Sequence, residues 1–380
     1  MERPGPRERQ RTSVPTKFNN SSKSCWLFVC CANGCFFPSI AARADGRCVH
    51  VTAVGDVAFR RQVGKTVAAA GPDPFSAVSG SLASDLAFAN LETVLTERKI
   101  PERATATPYP IIGSPKQGAQ VLARTGFAVV SIANNHAFDF FAPGFADTLG
   151  ALAQAGVVAI GGGLTKEQAA ASWVRDIRGV RLGMLAFASG VNRAPHGQAF
   201  VAKRWGKAPL EAVRTVRKGV DVLLVSVHFG IEGSRFPHAK QVSFAHALVN
   251  EGADVVIGHH PHVLQSVEVY HDRPIFYSLG NFLFGKQTRA RRETAILHLS
   301  LGRGPNPVKR AALQPILIDE TTETPQFPNT SDREQIAQRI RLASKPFGVS
   351  FRERDGWLEI ATEWNPDCAD PPAESTPKKQ

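Results

Sequence analysis

The sequence predicts an α/β fold with mixed sheets. Three observations support this: alternating strand and helix patterns, strands that follow one another late in the chain, and polar residues at the ends of buried strands. The predicted strands are His50–Val54, Leu86–Asn90, Ala128–Ala133, Val157–Ile160, Arg181–Ala188, Val222–His228, Asp254–Gly258, Leu264–Tyr270, Arg273–Leu279 and Thr294–Leu301. Because the final strands have no helices between them, an antiparallel edge and a mixed sheet are expected.

Helical patterns fill the intervals between earlier strands. The predicted helices are Pro115–Arg124, Pro143–Ala155, Leu210–Lys218 and Pro237–Glu251. The last of them carries apolar residues at helical spacing, which predicts one buried face: Val242, Ala245, Leu248 and Val249. We therefore expect a main domain over residues 45–320.

The C-terminal part of the chain differs in composition from the main domain. The chain turns polar after Glu320, with one helical pattern at Ser331–Ala343. The segment Asn365–Gln380 contains four prolines and few apolar residues, a composition that favours disorder. Residues 321–380 are therefore interpreted as a C-terminal extension with a disordered tail.

Length, composition and charge exclude several classes of protein. The 380 residues are 43% hydrophobic and 21% charged, which excludes a fully disordered or fibrous chain. No uninterrupted apolar stretch of about 18 residues occurs, so a polytopic membrane protein is excluded. The net charge is +12, of which residues 1–44 contribute +5 through seven basic and two acidic residues. This balance suits an anionic partner, but no nucleic-acid-binding motif is present and no nucleic-acid partner is expected.

Residues 1–44 have the pattern of a signal peptide or N-terminal anchor. A basic stretch precedes the apolar segment Cys25–Ala41, which is short for a membrane span and suits the central part of a signal peptide. The sequence Ala42-Arg43-Ala44 places small residues where a signal peptidase reads them. We therefore expect an exported protein, periplasmic or at the cell surface, whose membrane contact is limited to this segment.

Cysteine usage agrees with export. Four of the six cysteines lie in or beside the apolar segment, and Cys48 and Cys368 lie outside it. Domain termini often lie close together, so these two cysteines of an exported domain could form a disulfide. Two unrelated thiols are an equally good interpretation, and the sequence leaves both open.

Metal-binding residue types stand at the carboxyl ends of the buried strands. These residues are Asp56, Asn90, Glu92, Asn134, Asn135, His136, Asp139, His228, Glu232, His259, His260 and His262. In an open α/β sheet, ligand sites lie outside the carboxyl ends of the strands. Because so many polar groups are costly to bury without partners, a metal site at this edge is predicted.

The donor types indicate which metals are expected. Imidazole, carboxylate and amide donors without a thiolate suit Zn, Mn or Fe rather than a structural cysteine–zinc site. The donors outnumber what one tetrahedral ion needs, so two divalent ions bridged by a carboxylate are predicted. Two ions about 3.5–4 Å apart can stabilise both the attacking and the leaving oxygen of a phosphoryl-type displacement.

Each of these residues also has an ordinary structural interpretation. Taken alone, Asp56 would be a helix N-cap, and the pair Asn134 and Asn135 would be turn formers. His228 alone would be a hydrogen-bonded core histidine. The prediction of a site therefore depends on the ordered succession of such residues at five strand ends.

Seven motifs together resemble a known family. They are GDV at Gly55–Val57, NLE at Asn90–Glu92, ANNHAFD at Ala133–Asp139, GGG at Gly161–Gly163, HFG at His228–Gly230, GHHPHV at Gly258–Val263 and YSLGNFLF at Tyr277–Phe284. This set resembles the CapA family of bacterial poly-γ-glutamate capsule synthesis proteins, within the calcineurin-like metallophosphatase superfamily. The resemblance covers residues 49–284 and implies a four-layer metallophosphatase-like α/β sandwich with a centre of two metal ions.

The resemblance also implies roles for individual residues. The implied metal ligands are Asp56 on the first strand, Glu92 as the bridging carboxylate, the amide of Asn135, and the histidines His228, His260 and His262. The expected catalytic residues are His136, Asp56 and Asn135, with His136 protonating the leaving group. The expected substrate-binding residues are Asn90, Asn134, His259 and Asn281. The chain departs from the superfamily in lacking the histidine that usually follows the first aspartate by two residues, and in having a glutamate at position 92.

The implied activity is that of a metal-dependent hydrolase or transferase of the cell envelope. Its substrate would be an ester, a phosphoester or a γ-glutamyl amide, in the synthesis or attachment of a poly-γ-glutamate-type capsule polymer. The alternative is a non-catalytic, metal-stabilised scaffold that binds the polymer or other capsule-synthesis proteins. The sequence does not separate these two functions.

Overall fold

Two mixed β-sheets form the centre of the computed structural model, which describes residues 48–362 and 364, apart from 107, 194–198, 205 and 286. The strands in these residues are β1 (Val49–Val57), β2 (Leu86–Leu91), β3 (Val94–Leu95), β4 (Gly113–Ser114), β5 (Phe127–Ser131), β6 (Val158–Ile160), β7 (Gly162–Gly163), β8 (Trp173–Ile177), β9 (Val180–Ala188), β10 (Phe200–Val201), β11 (Val222–His228), β12 (Val255–His259), β13 (Val267–Tyr270), β14 (Arg273–Phe276), β15 (Asn281–Leu283), β16 (Glu293–Leu301), β17 (Val308–Ile318), β18 (Pro325–Gln326), β19 (Phe351–Arg354) and β20 (Trp357–Ile360).

Helices of very different length connect these strands. Those in the described residues are α1 (Arg61–Ala68), α2 (Ser79–Leu82), α3 (Gly118–Thr125), α4 (Phe141–Ala155), α5 (Lys166–Ala170), α6 (Ala208–Arg217), α7 (Ala239–Asn250), α8 (Arg289–Arg292) and α9 (Thr330–Ser344). Every predicted strand and helix is confirmed to within a few residues at its ends. Gly126 and Gly156 end α3 and α4 at φ of 96° and 76°, a conformation that glycine adopts without strain.

The large sheet has the strand order β19-β20-β17-β16-β1-β2-β5-β6, with β15 beside β1 and β18 beside β17. Its strands β1, β2, β5 and β6 are parallel, whereas β16, β17, β20 and β19 pair antiparallel. The small sheet has the order β13-β14-β12-β11-β9-β8, parallel in its centre and antiparallel at both edges. The predicted mixed topology is thus confirmed, and the late antiparallel strands divide between the two sheets.

The two faces of the small sheet contribute to different hydrophobic cores. Leu224 belongs to the core shared with the large sheet, whereas its neighbour Leu223 belongs to a core formed with α6 and α7. This alternation is what a strand buried on both faces requires. Helices α1, α3 and α4 pack beside the parallel strands of the large sheet through residues such as Leu122 and Phe145. The layers are therefore helices, large sheet, small sheet and helices, which confirms the four-layer α/β sandwich.

Residues beyond 320 lengthen the large sheet. Strand β20 pairs antiparallel with β17, and α9 packs against β17 and β13 through buried Ile336 and Ile340. The predicted tail, residues 365–380, lies outside the described residues.

The predicted N-terminal segment, residues 1–44, also lies outside the described residues. Within the described part of the chain, no helix has the length and apolar character needed to cross a membrane. Cys48 is disulfide-bonded. Cys368 lies outside the described residues, so its pairing with Cys48 stays a prediction.

Candidate metal centre

The predicted ligands converge between the two sheets, at the carboxyl ends of parallel strands. Asp56 lies near the end of β1, in register with Asn90 on β2 and with Asn281 on β15. His228 and His259 end β11 and β12 as a register pair. The two sheets thus bring their polar strand ends together, as the general rule for α/β sheets predicts.

A glycine allows the strands around Asp56 to approach each other. A Cβ atom on Gly55 would lie 1.9 Å from the carbonyl oxygen of Gly280. The next residue, Asp56, donates its backbone N–H to that same oxygen at 2.9 Å. Only glycine fits at position 55 without displacing the backbone that holds the Asp56 carboxylate in place.

Asp56, Glu92 and His262 form a first group of potential ligands, and all three are buried. His262 Nδ1 lies 3.2 Å from Asp56 Oδ2, and its Nε2 lies 3.7 Å from Glu92 Oε1. The candidate donor atoms of the group lie within 4.8 Å of one another. One ion could therefore contact all three side chains.

Glu92, His228 and His260 form a second group within the same distance limit. His228 Nε2 lies 3.5 Å from Glu92 Oε1 and 3.1 Å from His260 Nδ1. The amide oxygen of Asn135 lies 2.7 Å from the same His228 nitrogen. Glu92 belongs to both groups, which is the position that a bridging carboxylate would occupy.

The polar atoms of this cluster fit a metal ion better than they fit each other. Both carboxylate oxygens of Glu92 are buried and have no hydrogen-bond partner among the described residues. Burial, followed by the charge of Asp56, raises the pKa of Glu92 well above its usual value. A bound cation would compensate for this unfavourable burial of a carboxylate.

Two of the candidate histidine ligands, His228 and His260, have lowered pKa values that favour the neutral form, which is the form that binds a metal. Burial, followed by the charge of His260, holds the pKa of His228 well below its usual value. Burial and the charge of His262 lower the pKa of His260 to about 4. For Asp56, burial would raise the pKa, but the neighbouring His259 and His262 outweigh it and keep the pKa well below its usual value. Neutral imidazoles and an ionised carboxylate are the metal-binding forms of these groups.

Backbone conformation in the loop after β12 is unusual. His260 and His262 have φ of 99° and 58°, in the left-handed region that non-glycine residues rarely adopt. Such strain is concentrated at functional sites, where surrounding contacts enforce it. Here it directs both rings toward the cluster from a stretch of three residues.

His136 is placed beside the two ligand groups rather than within them. Its Nδ1 lies 2.7 Å from Asp139 Oδ2, and its Nε2 lies 4.0 Å from Glu92 Oε1. The first contact orients the ring, and the second shows that Nε2 faces the cluster. His136 thus presents an oriented ring nitrogen to the cluster, and its catalytic role stays a prediction.

Arg193 holds Asp139 in position, and sequence reasoning gave it no role. Its guanidinium lies 2.5 Å from Asp139 Oδ1 and donates to the backbone oxygen of Tyr109 at 2.6 Å. Asp139 Oδ2 also accepts the backbone N–H of Ile112 at 2.7 Å. Arg193 and Asp139 are both buried. Through their contacts, the segment that contains Tyr109 and Ile112 is connected to the turn that carries His136. No local sequence pattern indicates the pair, because its members are 54 residues apart.

The family model described as "Bacterial capsule synthesis protein PGA_cap" matches residues 50–286, which include both ligand groups. The chain belongs to this family. It is 31% identical over 316 residues to the PGA biosynthesis protein CapA of Bacillus subtilis, with 80% of each chain covered. It is 29% identical over 321 residues to the capsule biosynthesis protein CapA of Bacillus anthracis, which covers 82% of this chain and 77% of that protein. A 5'-nucleotidase structure from Candida albicans aligns with a TM-score of 0.42 at 9% identity, over 80% of this chain and 59% of that chain.

In this PGA_cap family member, two of the predicted substrate-binding residues hold metal-ligand candidates in place. Asn90 Nδ2 donates to Asp56 Oδ1 at 2.9 Å and lies 3.2 Å from His228 Nδ1. Asn281 Oδ1 lies 2.9 Å from His262 Nδ1. Both asparagines are fully buried.

The other two predicted substrate-binding residues differ from each other. Asn134 donates to the backbone oxygen of Leu91 at 2.8 Å and accepts the backbone N–H of His136 at 3.1 Å, so its side chain shapes the loop. His259 is fully buried and neither ring nitrogen makes a hydrogen bond within the described residues, although Nδ1 lies 3.5 Å from Asp56 Oδ1. A role in substrate binding stays a prediction for all four residues.

Proposed function

We propose that this protein is a metal-dependent hydrolase or transferase of the bacterial cell envelope that acts on a poly-γ-glutamate-type capsule polymer. One observation carries the catalytic part: Glu92 belongs to both ligand groups, and its two buried oxygens have no hydrogen-bond partner in the described part of the chain. The polymer part is supported by the family and by the names of the Bacillus relatives.

Each residue of the cluster then has a task. Asp56, Glu92 and His262 would hold one divalent ion, and Glu92, His228, His260 and Asn135 a second, of Zn, Mn or Fe. When bound, such ions polarise a carbonyl or phosphoryl oxygen and activate water for attack.

The chain itself supplies the proton for the leaving group. Asp139 accepts from the Nδ1 side of His136 and fixes its ring, so Nε2 is the atom that faces the reacting group. Protonated there, His136 donates to the leaving nitrogen or oxygen and takes a proton back in the next cycle. Arg193 holds the Asp139 carboxylate in place during this exchange.

The cellular location follows from the N-terminal pattern and the family. A signal peptide or anchor over residues 1–44 would place the remaining chain at the cell envelope, where a capsule polymer is built or attached. N-terminal sequencing of the protein recovered from the envelope tests this part. A mature N-terminus at residue 45 supports cleavage, and a cytoplasmic protein that retains residues 1–44 would reject export.

Metal analysis combined with activity assays tests the catalytic proposal. The wild type should bind about two divalent ions per chain and cleave poly-γ-glutamate or a generic phosphodiester. Asp56→Ala and His260→Ala should each lose metal and activity together. Wild-type activity in both variants would reject the enzymatic function. A metal-loaded wild type that binds the polymer but cleaves neither substrate would favour the scaffold function instead.

A further inference from the structure

Arg60, a half-buried arginine beside the candidate metal centre, has no acidic partner among the described residues. In the described part of the chain its guanidinium makes no ion pair and no hydrogen bond, whereas the buried Arg193 is fully engaged by Asp139 and Tyr109. Burial lowers the pKa of Arg60. A partly desolvated cation without an anionic partner is stabilised when a ligand supplies the anion.

The backbone of Arg60 is held in place, while its side chain has no hydrogen bond or ion pair to any described residue. Its N–H donates to the oxygen of Ala58 at 3.0 Å, and its own oxygen accepts from Gly64 at 3.0 Å, where α1 begins. Residue 60 has extended dihedral angles, φ −105° and ψ 162°. The side chain therefore leaves a fixed point directly after the strand that carries Asp56.

A single aromatic ring separates the Arg60 guanidinium from a metal-ligand candidate. Arg60 Cζ lies 5.5 Å from the centroid of the Phe284 ring, and the same ring lies 4.7 Å from the His262 ring. Phe284 is buried against Ala58 and Ile112, so this stack is fixed. Arg60 is thus oriented over an aromatic face at the edge of the cluster.

The acidic residues whose charges act most strongly on Arg60 already have other roles. Glu92 and Asp139 both act on its charge, but Glu92 belongs to the ligand groups and Asp139 to His136 and Arg193. The charge of Glu323 also acts on Arg60, but the two side chains form no ion pair in the described part of the chain. The arrangement leaves Arg60 available to an anionic group that arrives with the substrate.

We propose that Arg60 binds a carboxylate of the polymer, next to the bond that is held at the metal centre. This inference rests on the proposed function. In poly-γ-glutamate, the carbon attached to each amide nitrogen carries a carboxylate, so a carbonyl placed at the ions brings a carboxylate close to the edge of the cluster. A guanidinium binds such a group through two parallel hydrogen bonds.

Polymer binding to variants of the full-length, metal-loaded protein tests the inference. The probe is a fluorescein-labelled γ-glutamyl oligomer, and binding is followed by fluorescence anisotropy. Arg60→Gln should weaken binding by about tenfold or more. Arg61→Gln is the matched control, because the neighbouring residue is exposed and loses the same charge. It should weaken binding by less than about threefold.

Two further variants separate specific binding from general charge. Arg60→Lys keeps the charge but loses the two-point geometry, so its affinity should fall between those of the wild type and Arg60→Gln. Glu323→Gln removes a nearby carboxylate whose charge acts on Arg60, so binding should be unchanged or tighter. Should Arg60→Gln lose metal, Arg60→Lys supplies the comparison at full metal content.

Equal weakening of binding by Arg60→Gln and Arg61→Gln would overturn the inference, and so would a wild type that does not bind the oligomer. The inference would also fail if inorganic phosphate displaced the oligomer from the wild type but not from Arg60→Gln, because Arg60 would then be a phosphate-binding residue. Hydrolysis measured on the same samples tests the proposed function separately. Binding that depends on Arg60 without any hydrolysis keeps the inference and rejects the hydrolase. If the wild type hydrolyses the polymer and Arg60→Gln changes neither hydrolysis nor binding, the proposed function is kept and the inference about Arg60 is rejected.

Discussion

Two buried glutamates, Glu92 and Glu268, show how a binding site differs from a structural polar cluster. Glu268 accepts a hydrogen bond from the Tyr277 hydroxyl at 2.5 Å, and its other oxygen lies 2.9 Å from His246 Nε2. Glu92 is fully buried, yet neither oxygen has a hydrogen-bond partner in the described part of the chain. A buried carboxylate with hydrogen-bond partners needs no ligand, whereas one without them is a candidate for binding an ion.

The electrostatics of the two clusters differ in the same way. Burial and the neighbouring charge of Asp56 raise the pKa of Glu92, because like charges are brought together there. In the other cluster, burial and the hydrogen bond to Glu268 raise the pKa of Tyr277, so the phenol keeps the proton that it donates. A bound cation would offset the unfavourable burial of Glu92 in the first cluster, whereas Glu268 in the second already has its hydrogen-bond partners.

Substitution of the histidine beside each glutamate should give the largest difference between the two clusters, and the difference should appear in kcat. His136→Asn should lower the kcat for hydrolysis by about 10²- to 10⁴-fold while metal content stays at the wild-type level, because His136 belongs to neither ligand group. His246→Asn is the matched control at Glu268 and should leave kcat within about twofold. Steady-state kinetics and metal analysis on both variants measure this. Loss of metal in His136→Asn, or equal loss of kcat in both, would contradict the division between the clusters.

Substitution of the two glutamates should give the next largest difference, in metal affinity and in folding stability. Glu92→Gln should weaken metal binding by on the order of 100-fold, since it removes a charge shared by two groups, and the metal-free variant should be at least as stable as the wild type. Glu268→Gln should keep its metal and lose about 1–3 kcal/mol of stability. Metal titration and urea unfolding in a chelator measure these effects. A metal-free Glu92→Gln that is less stable than Glu268→Gln would show that the two carboxylates have the same structural task.

The sequence predicts the candidate site well where each ligand lies next to its own strand. Asp56, Glu92 and His228 each stand within two residues of the end of a buried apolar run, so a strand prediction already places them at one edge. The roles of Arg60 and Arg193 depend on contacts between distant segments. Arg193 meets Asp139 across 54 residues, and Arg60 meets Phe284 across an even longer separation, so no local pattern indicates either residue.

The parts of the fold that the sequence does not predict have a similar cause. Strand β17 (Val308–Ile318) pairs with β16 along its length. Its residues Lys309, Arg310 and Pro315 interrupt the apolar pattern that would predict a strand. Proline is disfavoured inside a sheet, so tertiary pairing overrides the local signal here. The sequence also does not say which sheet a strand joins. The adjacent predicted strands Arg273–Leu279 and Thr294–Leu301 end up in different sheets.

Removal of the Tyr277 hydroxyl group tests whether the Glu268 cluster contributes to folding stability but not to metal binding. Tyr277→Phe takes away the donor to Glu268 Oε2 and leaves that oxygen buried, so stability should fall by about 1–2 kcal/mol. Metal content should not change, because the cluster around Glu92 shares no residue with this one. Urea unfolding combined with metal analysis measures both quantities. A loss of metal in this variant would mean that the two clusters are coupled.

His298 extends the comparison to a satisfied histidine in the large sheet and gives the smallest effect. Its Nε2 lies 3.1 Å from Gln314 Oε1, and its ring stacks on Trp357 at 4.1 Å. Burial lowers the pKa of His298 to about 4, so the folded protein keeps the ring neutral while the unfolded chain takes up a proton below about pH 6.5. Folding stability should therefore fall as the pH drops from about 6.5 toward 4, and this residue should account for on the order of 1 kcal/mol between pH 7 and pH 5. Urea unfolding of metal-free His298→Gln should show a correspondingly flatter pH dependence than the wild type, and parallel curves for the two proteins would contradict this assignment.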